Sequence, residues 1–103
     1  MTAWHFGTLN VDNQARVAQL ILEGLEDHWG PLDPAFNTDL DDMVTSYGTG
    51  HTLVATAEGH VVGTGTLMPH SPGQVEIKRM SVARSLRRHG LGRAIVELTL
   101  IHI

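Results

Sequence analysis

Two features of the stretch from Val75 to Ile95 have the residue types and spacing to do chemistry. One is the run Arg87-Arg88-His89-Gly90-Leu91-Gly92, which stands between a strand-like segment and an apolar helix-like one. Glycines without a Cβ let backbone N–H groups close around an anion, and a helix starting at the same place adds its positive dipole end. The other is Glu76, a carboxylate on the segment that leads into this turn.

Spacing narrows the kind of cradle. A Walker loop needs four residues between its glycines and then Lys-Ser/Thr, and a dinucleotide fingerprint needs Gly-x-Gly-x-x-Gly; neither is present. A plain strand-to-helix turn would not need Arg87, Arg88 and Arg93 within seven positions. A helix-turn-helix would make Ala83 to His89 one helix and Leu91 onward the recognition helix. That second helix would carry one arginine on a mostly apolar surface (Ile95, Val96, Leu98, Leu100), which suits a core better than a major groove. No nucleic acid partner is expected.

What stands here, Arg-x-x-Gly-x-Gly, resembles the acyl-CoA pyrophosphate loop of the GCN5-related N-acetyltransferase (GNAT) family. The flanks match in register: Glu76-Ile77 on the preceding strand, Val82 closing it, and Arg93-Ala94-Ile95-Val96 opening the helix. The resemblance implies an α/β (α+β) fold, a mixed, mostly antiparallel sheet flanked by helices. It also implies acetyl-CoA as acyl donor and a primary amine, on a small molecule or a peptide, as acceptor. Backbone groups of Met80, Ser81 and Val82 would meet the pantetheine amides, and the amides of Arg88, His89, Gly90, Leu91, Gly92 and Arg93 the pyrophosphate, with Arg87 and Arg88 adding charge. Glu76 resembles the catalytic glutamate of the histone-acetylating branch, which implies a base that would take the ammonium proton directly or through water, most effectively if burial raised its pKa; as plain structure it would pair with Lys78 or a charge on a neighbouring strand. Trp29, Phe36, Asp41, Asp42 and Tyr47 are candidates, by resemblance only, to line the acceptor pocket. The alternative is a non-catalytic acyl-CoA-binding or interaction module that keeps the cradle.

The chain's 103 residues, 42% hydrophobic and 17% charged, fit one small domain over positions 1–103 with a modest core. No apolar run is long enough to span a bilayer, and the N-terminus lacks a secretory pattern, so neither a membrane partner nor export is expected. Zero cysteines exclude disulfides and thiolate chemistry and agree with a cytoplasmic chain. Seven histidines show no metal-ligand spacing, and no metal is expected. The net charge of −4 is unevenly spread. Positions 1–59 hold nine acids against Arg16 alone, and positions 60–103 hold six bases against Glu76 and Glu97. A basic half suits a polyphosphate and an acidic half a cationic amine, although for any single carboxylate solvated surface is the simpler reading.

Around the cradle, His5 to Leu9 reads as a first strand. Asn10 or Asp12 would cap a helix running to about Asp27 on a face of Val11, Ala15, Ala18, Leu22 and Leu25. Trp29 to Pro34 reads as a loop whose aromatic is either a lid on the core or part of a substrate wall. Thr38 and Asp41 resemble a capping box for a second helix with Leu40, Met43, Val44 and Tyr47 on one face; Met43 and Tyr47 are more simply core than pocket. Thr52–Ala57 and Val61–Met68 read as a hairpin around Glu58-Gly59-His60. Gly63 and Gly65 leave one face of the second strand nearly bare, to admit a ligand or backbone or to mark a bulge. Gln74 to Val82 forms the next strand, and the order is β-α-α-β-β-β-α.

The resembled fold continues with a strand, a helix and two further strands, so the expectation is a C-terminally truncated domain. Part of what is absent commonly supplies a tyrosine as general acid, and none follows Tyr47 here. An uncovered strand edge at Val75 to Val82 favours association, so a homo-oligomer, most simply a dimer that completes the sheet between chains, is expected.

Overall fold

The computed structural model describes residues 4–33 and 35–101, without the side chains at positions 70, 100 and 101. Pro34, placed by sequence in the loop after the first helix, lies outside the described residues, as do positions 102 and 103. The elements run β1 (His5–Thr8), α1 (Gln14–Trp29), a 3₁₀ turn (Thr38–Asp42), α2 (Met43–Ser46), β2 (His51–Ala57), β3 (His60–Ser71), β4 (Gln74–Val82), a second 3₁₀ turn (Arg84–Leu86) and α3 (Leu91–Ile101). The strands form one sheet in the order β1-β2-β3-β4, every pairing antiparallel. This is the expected α/β order, with helices on both faces.

Each tight connection follows from local chemistry. Glu58 and Gly59 both have positive φ (52° and 80°), the two-residue turn whose twist matches antiparallel strands, and Ala57 pairs with His60 across it. Pro72-Gly73, with Gly73 at φ 78°, closes the β3–β4 hairpin.

The first helix starts later than its apolar pattern suggests. Asn10 Oδ1 accepts from the N–H groups of Asp12 and Asn13, and Asn13 Oδ1 accepts from the N–H of Asn10, all at 2.9 Å. These side-chain bonds hold the backbone in a turn up to Asn13. Val11 is therefore outside the helix and 70% exposed, and Ala15 is exposed; the buried stripe is Val17, Ala18, Leu20 and Ile21, with Leu22 and Leu25 half-buried beside it. Neither Asn10 nor Asp12 caps the helix, and its N-cap Asn13 makes no side-chain cap bond. At the other end α1 runs on through Trp29, where the Gly30 N–H still bonds Glu26 O at 2.8 Å. Trp29 is thus a helix residue, 72% exposed, and not a lid on the core.

The second helix is split. Thr38 and Asp41 form no capping box: the segment is 3₁₀, entered through Asn37 at φ 64° without a side-chain cap bond. Asp42 instead caps a single α turn, accepting from the Thr45 N–H at 3.4 Å and the Thr45 hydroxyl at 2.8 Å. Gln14 Oε1 accepts the Val44 N–H at 3.0 Å and ties this turn to the start of α1. Leu40 and Met43 are buried and Tyr47 packs against them, as the face predicts.

Two cores result, one on each side of the sheet. Val17, Ala18, Ile21, Leu40, Met43 and Val54 fill the α1 side; Leu53, Ala55, Ala57, Val62, Leu91 and Ile95 fill the α3 side. The bare face at Gly63 and Gly65 is where α3 sits. A Cβ at Gly63 would lie 2.7 Å from Ile95 Cδ1, and one at Gly65 3.0 Å from Ile95 Cγ2. The absent side chains let Leu91 and Ile95, both fully buried, reach the sheet, each contributing about 1.5–3 kcal/mol of hydrophobic stabilisation. On the opposite face the buried hydroxyls are satisfied: Thr52 and Thr66 bond each other at 2.8 Å, and Thr64 donates to Leu53 O at 3.0 Å.

Candidate acyl-CoA site

The β3–β4 pairing is regular except at one point that bears on the site. Thr64 pairs with Ser81 and Thr66 with Lys78, so Gly65 faces both Arg79 and Met80. This β-bulge places Arg79 at φ 51°, a backbone region that non-glycine residues seldom adopt. Beyond it, Ser81 turns toward α1, its hydroxyl 3.4 Å from Leu20 O, while Met80 and Val82 lie on the α3 side near Gly92. The Ala83 N–H donates to Val62 O at 2.7 Å across the sheet. Because successive backbone groups alternate sides along a strand, those of Val82 and Met80 point the other way, to the edge of β4 that carries no paired strand among the described residues.

That edge borders a groove of about 410 Å³ between α1 and β4, lined by Ile21, Gly24, Leu25, Arg79, Met80, Ser81, Val82 and Arg87. Gly24 sets its width, since a Cβ there would stand 2.9 Å from Ser81 Oγ. A second hollow lined by Leu20, Glu23, Gly24, Asp27, Val82, Ala83, Arg84 and Arg87 shares Gly24, Val82 and Arg87 with it and extends it toward the turn before α3.

The arginines of the turn divide. Arg87 reaches back: its Nε donates to Val82 O at 3.2 Å and its Nη2 lies 3.5 Å from Asp27 Oδ2 on α1, where Arg84 also pairs. Arg88 takes φ 68° and is exposed together with His89 and Gly90. Leu91 spends its side chain wholly in the core, so only its backbone can meet a ligand. Arg93 points outward and pairs with Glu97 at 2.9 Å. Gly90 at φ 86° turns the chain into α3, whose first hydrogen bond runs from the Ala94 N–H to Gly90 O at 3.0 Å. The N–H groups of Leu91, Gly92 and Arg93 precede that bond and have no intrahelical acceptor.

Glu76 pairs with Met68, on the face that Thr64, Thr66 and Ser81 share with α1, three positions before Arg79. Its side chain is exposed and is not part of the groove lining. Of the other aromatic candidates, Trp29 meets His28 edge-on at 4.6 Å. Phe36, 71% exposed, borders a separate hollow of about 270 Å³ with Leu22, Glu26, Leu32, Asp33 and Asp41. Tyr47 joins a cluster with Asp39 and Arg79: the phenol donates to Asp39 Oδ2, and the Arg79 guanidinium grips both carboxylate oxygens, Nε to Oδ2 at 2.9 Å and Nη2 to Oδ1 at 2.7 Å. Burial alone would raise the Asp39 pKa, but the hydrogen bonds from Arg79 and Tyr47 and the adjoining positive charge outweigh it and hold the carboxyl below its ordinary value of 3.8. Burial and the bond to that carboxylate raise the Tyr47 phenol. For Arg79 burial works against the charge, yet the bonds to Asp39 and Tyr47 prevail and raise it.

The sequence profile of the acetyltransferase (GNAT) family matches residues 18–102. The chain belongs to that family. Among solved structures it is similar to a GNAT family acetyltransferase from Staphylococcus aureus Mu50 (TM-score 0.85, 18% identity, 96% of this chain and 64% of that one). It is similar also to an acetyltransferase from Streptococcus agalactiae 2603 (TM-score 0.80, 18% identity, 95% and 64%). A third is a GNAT family acetyltransferase from Brucella melitensis in complex with acetyl-CoA (TM-score 0.79, 16% identity, 97% and 68%). The chain therefore spans just under two thirds of the length of the first two. No curated protein matches it.

Within this GNAT domain, sequence reasoning missed Gly24, Asp27, Asp39 and Arg79. A glycine inside an amphipathic helix costs about 1 kcal/mol relative to alanine, so Gly24 was a visible anomaly. Asp27, Asp39 and Arg79 have partners 40 to 60 positions away in sequence, and no local pattern marks them.

Proposed function

We propose that this chain carries the acyl-CoA groove of an acetyl-CoA-dependent N-acetyltransferase that acts on a primary amine. The observation that carries the reading is the groove beside the β4 edge at Met80 and Val82, narrowed by Gly24 and reaching Arg87, with the α3 N-terminus, whose first N–H groups have no intrahelical acceptor, following in the next turn of the chain. Its chemistry fits a pantetheine arm with a diphosphate: edge N–H and C=O groups for the arm's amides, an apolar wall from Ile21 and Leu25, and a helix N-terminus with Arg87 and Arg88 before it for the anion. The similar acetyltransferase from Brucella melitensis forms a complex with acetyl-CoA, which supports the same donor here.

Acetyl-CoA supplies a thioester whose acyl group passes to nitrogen as the C–S bond breaks and the C–N bond forms. The chain's own part is to bind the arm, to hold an edge N–H toward the carbonyl oxygen as negative charge develops, and to remove the proton of the incoming ammonium. Glu76 takes that proton directly or through a water, from its position on the α1 face before the bulge. Calorimetric titration of the purified chain with acetyl-CoA tests the reading. Micromolar binding is expected; a folded chain that gives no heat with acetyl-CoA or CoA refutes it. Binding without thiol release in a screen of primary amines would favour the non-catalytic acyl-CoA-binding module, a reading that the exposed setting of Glu76 outside the groove lining also favours.

A further inference from the structure

The Arg79 cluster is half-buried and geometrically complete, and the acyl-transfer chemistry leaves it without a task. Its two ends are both backbone anomalies: Arg79 at φ 51° in the β4 bulge and Asn37 at φ 64° where the 3₁₀ turn begins. One guanidinium joins them, with Nη2 shared between Asp39 Oδ1 at 2.7 Å and Asn37 Oδ1 at 3.0 Å, and Nε directed to Asp39 Oδ2 at 2.9 Å and the Tyr47 oxygen at 3.4 Å. The side chains of Arg79 and Asp39 keep 22% and 28% of their exposure. Residues held in sparsely populated conformations persist only where their surroundings determine them, and they gather where a strained backbone has a use. The bulge decides which backbone groups of Met80 and Val82 face the open edge, and Arg79 itself lines the groove. The far end of the link holds the Asn37–Tyr47 segment against the α1 core.

We propose that Arg79 is a positioning residue, braced by Asp39 and Asn37, that holds the β4 bulge and so presents the Met80 and Val82 backbone to the acyl donor. The brace also couples the groove to the segment that carries Tyr47, so that a change at either end is felt at the other. This rests on the acyl-CoA reading of the groove, and the experiment separates the two. Asp39→Asn weakens one end without touching β4, Arg79→Lys keeps the charge but loses the fork, and Tyr47→Phe leaves the ion pair in place.

In amide NMR spectra of the ligand-free chain, Asp39→Asn is expected to move the resonances of Met80, Ser81 and Val82 along with those of the Asn37–Tyr47 segment, with β2 unchanged. Shifts confined to the Asn37–Tyr47 segment would overturn the brace. In titrations with acetyl-CoA, corrected for the folded fraction, Asp39→Asn and Arg79→Lys are expected to weaken binding about tenfold, the scale of losing one bidentate charge-assisted contact, and Tyr47→Phe less than about twofold. Equal affinity in all four proteins would overturn the positioning role. If the wild-type chain binds no acetyl-CoA, the acyl-CoA reading fails, and the amide shifts still decide whether the brace sets the bulge.

Discussion

Glu76 and Asp39 are carboxylates with opposite settings, and each carries its own prediction. Glu76 is exposed on the α1 face of β4. Glu76→Gln preserves shape and removes the capacity to take a proton. With a responsive amine acceptor, turnover is expected to fall by about 10²–10⁴, the usual worth of a general base, with acetyl-CoA affinity unchanged by calorimetry. Turnover equal to wild type would remove Glu76 from the mechanism. Asp39 acts on stability instead. Its pKa lies below 3.8 in the folded chain, so its contribution is fully present above that value and is lost as pH falls through the depressed one. Thermal midpoints should therefore drop in acid below about pH 4 for the wild type, and Asp39→Asn should flatten that limb. The Tyr47 phenol is raised, so its contribution holds below pH 10 and fades as pH rises through the higher value. A midpoint profile for Asp39→Asn that overlies the wild type in acid would show the pair to be energetically idle.

Helices and strands meet in this fold at glycines, and that is where an added methyl is most informative. Gly63→Ala places a Cβ 2.7 Å from Ile95 Cδ1, under a helix whose Leu91, Ile95 and Thr99 are all fully buried, so the overpacking is expected to cost about 1–3 kcal/mol in urea unfolding. Gly7→Ala, with nothing within 4 Å of its Cβ, is the control and should be nearly neutral. Gly24→Leu tests the groove by filling it: acetyl-CoA affinity per folded chain should fall, while the gain in helix propensity only partly offsets the crowding of Ser81 Oγ, 2.9 Å from the new Cβ. An unchanged affinity would place the donor elsewhere. The strands, α3 and the β-α-α-β-β-β-α order were legible because period-2 apolar runs, the Glu58-Gly59 turn and the Leu91/Ile95 spacing are local signals. The start of α1 was misread because Asn10 and Asn13 bond the backbone in competition with the helix, and the second helix was misread because Asp42 caps in place of Thr38. Spacing singled out the Arg87–Gly92 turn, but that Arg87 would turn back onto Asp27 and Val82 O depends on α1 lying across β4, which no local window contains.

At the scale of the molecule, β1-β2-β3-β4 leaves β4 with one hydrogen-bonded neighbour among the described residues. Val75 and Met80 on that strand are 43% and 40% exposed. An edge with apolar side chains and unpaired N–H and C=O groups is a template for another strand, and natural sheets blunt such edges with charge, proline or cover. Lys78 and the bulge at Arg79 supply some of that blunting midway along β4, but Val75 lies at the opposite end of the strand from the groove. Two copies related by a two-fold axis can pair β4 with β4 only there, because the bulge interrupts the ladder beyond Lys78. The expected outcome in sedimentation velocity is therefore a concentration-dependent monomer–dimer equilibrium. Val75→Lys should shift it toward monomer, and acetyl-CoA, which engages the Met80–Val82 end, should leave it in place. A chain that stays monomeric at every concentration would show that the bulge and Lys78 already suffice to guard the edge. A dimer dissolved by acetyl-CoA but indifferent to Val75→Lys would move the contact to the groove itself.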